Sequence, residues 1–270
     1  MLRYVAGNKQ YKLLNQSIKV LKNNKYPIVN YILENNHNSK NKVFSEYINL
    51  LDKIDDNYKI ALKLSSLDFD VDLTSKLIEK YQSKNISIII DAEDNANYEK
   101  YNSITNDLIN EYNKTNFSII KTYQLYRKDS LEELSNNINH SINNNLYFGS
   151  KLVRGAYYNS EKDGTHLFKD KKDTDFNYNN GIIECLNYKK SYNIIATHNK
   201  ESIELACKLN KEHNIYSLAH LMGMNENYMN TVKKDNKVYT YIPYGPYREM
   251  IPYLTRRLYE NIDSLRYILK

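Results

Sequence analysis

The sequence predicts an α/β protein, a single-domain (β/α)8 barrel, on three observations. Eight short apolar runs rich in β-branched residues alternate with longer amphipathic stretches, without a break. Such alternation implies parallel strands joined by right-handed helical crossovers. The length of 270 residues suits a barrel of about 250 residues. A doubly wound open sheet is the alternative, and the lack of a GxGxxG turn after the first strand counts against it.

The elements follow in order. Residues 1–25 form a helical lead-in, with Leu13, Leu14, Ile18, Val20 and Leu21 as its apolar stripe. Arg3, Lys9, Lys12, Lys19, Lys22 and Lys25 precede the first acidic residue, Glu34. A basic, acid-poor start is also how a mitochondrial presequence reads, but the stripe runs straight into a strand, which favours a structural helix. The barrel occupies residues 26–262. Its strands are predicted over 27–33, 58–65, 86–92, 117–125, 147–154, 192–198, 215–222 and 237–244. Its helices are predicted near 43–55, 71–83, 97–113, 129–144, 174–190, 200–212, 225–235 and 246–261, with Asp129 and Asn199 as N-caps. The asparagine-rich stretch 136–145 reads as the end of a helix, not as a linker.

Composition narrows the class. No apolar run reaches the roughly 18 residues of a membrane span. Cys185 and Cys207 make no CxxC or other metal spacing, so a reduced, intracellular protein without a metal is expected. The net charge of +6 favours anionic ligands and leaves peripheral association with an acidic membrane open, but the lysines are scattered among asparagines along the whole chain. Basic strips interleaved with aromatics, such as Tyr123, Tyr126 and Arg127, raise nucleic-acid binding as a distant reading. The 27 tyrosines reflect composition and no nucleic-acid module is present, so no nucleic-acid partner is expected.

Polar residues inside the apolar runs carry the functional signal. Lys63, Asp91, Gln124, Lys151, Arg154, Thr197, His198 and Tyr241 all fall in the C-terminal half of a predicted strand. Each alone has a plain structural explanation as a cap, an edge residue or a bonded core histidine. Repetition over six strands does not, and the C-terminal end of barrel strands is where catalysis is built. On the predicted last helix stand Arg256 and Arg257, with Tyr253 three residues before the first of them and Tyr241 fifteen before it. Paired guanidiniums beside tyrosines suit a small carboxylate, because the planar fork meets a carboxylate with two bonds.

The segments RYVAG (3–7), LKLSS (62–66), IDAE (90–93), TYQLY (122–126), KLVRGAYY (151–158), ATHN (196–199), LMGM (221–224), YIPYG (241–245) and PYLTRRLYEN (252–261) resemble the proline dehydrogenase family, in the family's order and over nearly the whole chain. The resemblance implies a (β/α)8 barrel that binds FAD noncovalently. It implies oxidation of L-proline to 1-pyrroline-5-carboxylate, with electrons passed to a quinone or other acceptor. By pathway it implies a pyrroline-5-carboxylate dehydrogenase as partner for the next step.

The same resemblance assigns roles. Arg256 and Arg257 clamp the proline carboxylate, with Lys63 as a third cation. Tyr241 and Tyr253 wall the ring, and Tyr157 and Leu152 pack near it. Asp91 matches the active-site aspartate, and Lys151 the basic position beside the flavin. The Ala92 backbone, the Gln124 amide, the turn of Arg154, Gly155 and Ala156, and Thr197 with His198 match the FAD contacts. Glu34 matches a glutamate that pairs with the first arginine over the closed site. The chain departs from the family at His220, where many members have glutamine, and at Tyr158, where bacterial members often have tryptophan. The sequence shows neither a helical extension before the barrel nor an aldehyde dehydrogenase domain after it, which points to a monofunctional enzyme. A related enzyme acting on hydroxyproline is the nearer alternative; Tyr241 argues against it, since hydroxyproline members carry a smaller residue there.

Overall fold

The computed structural model describes residues 4–33, 39–161 and 163–260. Helix α1 (Gln10–Lys22) precedes β1 (Tyr26–Tyr31), followed by α2 (Lys40–Leu51), β2 (Lys59–Lys63), α3 (Val71–Gln82), β3 (Ile88–Asp91), α4 (Tyr98–Tyr112), β4 (Ile119–Gln124) and α5 (Ser130–Asn143). Then come β5 (Phe148–Val153), a one-turn α6 (Tyr158–Glu161), α7 (Lys171–Glu184), β6 (Ser191–Ala196), α8 (Lys200–His213), β7 (Tyr216–Leu221), α9 (Glu226–Val232), β8 (Val238–Tyr244) and α10 (Tyr247–Glu260). The strands hydrogen-bond in chain order, and β8 pairs with β1 to close a parallel barrel. The expected fold class is therefore observed. By packing the chain divides into two compact units, residues 1–91 with 220–270 and residues 92–219.

Local chemistry explains most boundaries. Asn199 caps α8 as expected, its side chain accepting from the Ser202 N–H. Asp129 does not cap α5, which is a correction. Its backbone is already helical and no cap bond forms, because Arg127 grips the carboxylate with Nε and Nη2 at 3.1 and 3.0 Å. The stretch 136–143 is helical, and Asn145 ends the turn with φ of 52°.

In the first unit, β8, β1, β2 and β3 lie side by side, with Ile28 facing Lys59 on one flank and Tyr241 on the other. The β1–β2 ladder ends where Asn30 faces Ala61. There the Tyr47 hydroxyl of α2 takes over, accepting from Tyr31 N–H at 3.1 Å and donating to Ala61 O at 2.8 Å. His220 anchors a buried polar cluster in the same unit. Its Nδ1–H donates to Met224 O at 2.8 Å, which leaves Nε2 to accept from the Thr240 hydroxyl at 3.0 Å. Lys25 stands 3.5 Å from that Nε2 and pairs with Glu226 at 2.5 Å.

In the second unit, β4, β5 and β6 pair in parallel, with Thr122 facing Lys151 and Lys151 facing Ile194. Asn137 of α5 donates to the Tyr123 hydroxyl at 3.1 Å, so Tyr123 faces the helices. Lys121, two residues earlier, faces the same way and pairs with Glu133 of α5 at 2.7 Å. Asn113, fully buried after α4, ties β4 to the start of β5. It donates to Ile119 O and Tyr147 O, both at 2.9 Å, and accepts from Ile119 N–H at 2.8 Å.

His220 makes a pH prediction. Burial holds its pKa below the ordinary 6.5, and the Lys25 ammonium adds to this against the pull of Glu226. The unfolded chain therefore binds the proton first, and stability falls as pH drops below about 6.5. Glu226, held below its ordinary 4.5, loses its contribution only at lower pH. Urea midpoints measured at pH 7.5 and 5.5 are expected to drop less in His220→Gln than in the wild type. Equal drops would show that the cluster does not hold His220 neutral.

Candidate active site

Asp91 ends β3 and is buried, while Lys63 ends β2 as its register partner. In parallel strands partners share a face, so Lys63 and Asp91 point the same way. Tyr241 of β8 reaches the same carboxylate, its hydroxyl donating to Asp91 Oδ2 at 2.6 Å. The first unit thus brings together three residues expected from the sequence. Arg256, Arg257 and Tyr253 lie on α10, which is helical as predicted, but their side chains fall outside the described ones. Glu34 lies outside the described residues altogether.

The second unit carries its own set at the C-terminal ends of β4, β5 and β6. Gln124 is buried, and its Nε2 donates to Glu93 O at 2.9 Å. That bond fixes the amide orientation and leaves Oε1 buried without a hydrogen-bond partner among the described residues. A buried carbonyl with no donor is costly and marks a place for an outside N–H. The planar ring system of a flavin presents one, so this side chain fits the expected cofactor. Lys151 is buried two residues before Val153, which is the register partner of Gln124. Lys151, Val153 and Gln124 therefore share one face.

Leu152 sits on the other face, and its expected place beside a substrate ring is a correction. It is the register partner of Tyr123, which faces α5, and its side chain is fully buried there. Alternation along a strand cannot put Lys151 and Leu152 on one face. Val153 is the neighbour that shares the Lys151 face. Strand parity read from Lys151 would have found it.

Arg154 supports the site more than it opens into it. Its Nε donates to Asp175 at 2.7 Å, Nη2 to Ser202 at 3.0 Å and Nη1 to Thr197, and the guanidinium lies 4.3 Å from the Tyr178 ring centre. Thr197 Oγ1 also accepts from the Asn199 N–H at 3.1 Å. His198 follows at the end of β6, half-buried. After Arg154 the backbone turns through Gly155, whose φ of 152° suits only glycine. A Cβ there would meet the Tyr126 ring at 2.3 Å. Ala156 follows, half-buried, and the Tyr157 hydroxyl reaches Ala92 O at 3.5 Å. Among the described residues, no three His, Cys, Asp or Glu could hold a metal ion, and no helix is long and apolar enough to cross a membrane.

Known proteins resemble this chain along its length. The profile of the family described as proline dehydrogenase matches residues 14–267. Proline dehydrogenase 1, mitochondrial, of Drosophila melanogaster is 29% identical over 210 residues, covering 68% of this chain and 31% of its own. Proline dehydrogenase 2 of Bacillus subtilis is 28% identical over 225 residues, covering 79% and 69%. The carbapenem antibiotics biosynthesis protein CarD of Pectobacterium carotovorum is 31% identical over 193 residues, covering 69% and 51%. The chain thus spans about a third of the length of the fly protein and half of CarD. Among solved structures, proline utilization A (PutA) of Bdellovibrio bacteriovorus superposes with a TM-score of 0.88 at 20% identity, over 96% of this chain and 32% of that one. At that identity the likeness shows the fold.

The turn at Gly155 is testable. Gly155→Ala is expected to lower stability by roughly 2–4 kcal/mol, because strained backbone and overlap with Tyr126 add. Urea denaturation measures it, and an unchanged midpoint would mean that the turn can shift without cost.

Proposed function

The chain belongs to the proline dehydrogenase family, and from that membership we propose that it oxidises L-proline to 1-pyrroline-5-carboxylate with FAD held noncovalently. The observation that carries the cofactor reading is the buried Gln124 Oε1, which has no hydrogen-bond partner among the described residues. When bound, FAD supplies the hydride acceptor that no side chain offers.

The residues divide the work. In the second unit, Gln124, the Ala92 backbone, the turn of Arg154, Gly155 and Ala156, and Thr197 with His198 hold the cofactor. Lys151 places a cation on the same strand face as Gln124, where it favours negative charge on a bound ligand. In the first unit, Arg256 and Arg257 take the substrate carboxylate as a fork, with Lys63 as a third cation. Tyr241 and Tyr253 fix the ring, and Glu34 pairs with Arg256; in the second unit Tyr157 is the residue assigned to the substrate. Asp91, oriented by the Tyr241 hydroxyl at 2.6 Å, accepts the proton of the substrate amine, which must be neutral for hydride to leave. Positioning is the protein's main contribution, since fixing the ring at near-attack distance replaces an entropy cost. A quinone or similar acceptor takes the electrons, at a membrane surface if the acceptor resides there. A pyrroline-5-carboxylate dehydrogenase consumes the product.

Two measurements test this. The purified, FAD-reconstituted protein is expected to be yellow, and acid precipitation to release the colour into the supernatant. A colourless protein, or colour retained in the pellet, would end the reading. Arg256→Ala and Arg257→Met are each expected to raise KM for proline about tenfold to a hundredfold, the value of a bidentate charge-assisted contact. Lysine at either position should restore only part, because an ammonium has no planar fork. Unchanged KM in both variants would remove the arginines from the substrate site.

A further inference from the structure

We propose that Glu161 is a positioning residue that locks together the loops following β3, β4 and β5, and through them sets the turn that receives the cofactor. Its side chain is 9% exposed, and its carboxylate meets donors from all three loops. Oε1 accepts from the Asn95 N–H at 2.7 Å, in the segment after β3. Oε2 accepts from the Tyr126 hydroxyl at 3.0 Å, after β4. The same oxygen lies 3.4 Å from His166 Nε2, in the loop after β5 that carries Glu161 itself.

The contact at Tyr126 makes this more than a surface brace. The Tyr126 ring fills the space beside Gly155, and its N–H donates to Arg154 O at 2.7 Å. The ring is thus the floor of the Arg154 to Ala156 turn, and Glu161 holds the far end of that ring. Neighbouring bonds tie the same loops: Phe168 N–H to Tyr126 O at 2.9 Å, Lys128 N–H to His166 O at 2.9 Å, and Arg127 to Asn95 Oδ1 at 2.8 Å. None of these holds the Tyr126 ring in place. Only the Glu161 carboxylate does so among the described hydrogen bonds.

The inference rests on the reading that these loops bind FAD, so the test has one arm that needs no FAD. Glu161→Ala is expected to raise the FAD dissociation constant about tenfold or more, the loss that follows when a charged acceptor of several bonds is removed. KM for proline at saturating FAD should rise by less than FAD affinity falls, since of the proposed substrate groups only Tyr157 lies in this loop. Glu161→Gln keeps an acceptor for Asn95 and an amide within reach of the Tyr126 hydroxyl, so its FAD affinity should fall between the two and survive if the alanine variant does not fold. In the second arm, without added FAD, trypsin should cut at Lys169 faster in Glu161→Ala than in the wild type. FAD affinity equal to wild type in both variants, with unchanged cleavage, would overturn the proposal. Failure of the wild type itself to bind FAD would defeat the cofactor reading, and the cleavage arm would then decide the anchor alone.

Discussion

Strands drawn into a parallel ring satisfy one another along their middle and part at their C-terminal ends, where each uncovered backbone group needs a partner. Much of the described site is the answer to that need. At the end of β1 and β2 the Tyr47 hydroxyl bridges Tyr31 N–H and Ala61 O. At the end of β4, Gln124 bonds Glu93 O, and this single bond both satisfies a loop carbonyl and leaves Oε1 buried with no partner among the described residues. The Asn95 N–H beyond β3 is answered by Glu161. Side chains that complete the backbone at strand ends are held rigidly by it, and that rigidity is what a binding site requires.

Composition decides which side chains do this elsewhere. With 27 tyrosines and no tryptophan, phenol rings are the largest of the fully buried side chains. A buried hydroxyl must find an acceptor, and strand and helix carbonyls provide it. In the first unit Tyr81 donates to Tyr47 O at 2.6 Å. In the second, Tyr178 donates to Leu152 O at 2.9 Å and Tyr216 to Ile182 O at 2.7 Å. Burial raises the pKa of all three phenols, so each remains a donor over any working pH. Tyrosine thus serves here as an apolar filler that also pins an element in place.

The fold was legible because its signal is periodic: eight apolar runs alternate with helical stripes, and each strand and helix appears where that period puts it. What the period does not carry is side-chain partnership. Asp129 has the residue type and place of an N-cap, yet Arg127 two residues away claims its carboxylate. The one-turn α6 is too short to show a period, so Glu161 was invisible although it touches three loops. Leu152 was misplaced because motif matching names residues side by side, whereas a strand separates neighbours onto opposite faces.

That alternation also explains why similar residues in one strand pair have unlike fates. Lys121 and Lys151 both lie buried in apolar strands. Lys121 faces the helices, where Glu133 at 2.7 Å and Asn106 at 2.9 Å answer its charge, although burial still pushes its pKa down. Such a pair is structural, and removing either member would strand the other. Lys151 shares its face with Thr122 and, through Val153, with Gln124, away from the helices. Gln124 on that face carries the amide oxygen that has no hydrogen-bond partner among the described residues, the observation on which the proposed cofactor reading rests. One residue of parity therefore separates a lysine that holds helix to strand from one that faces away from the helices, and only the register tells them apart.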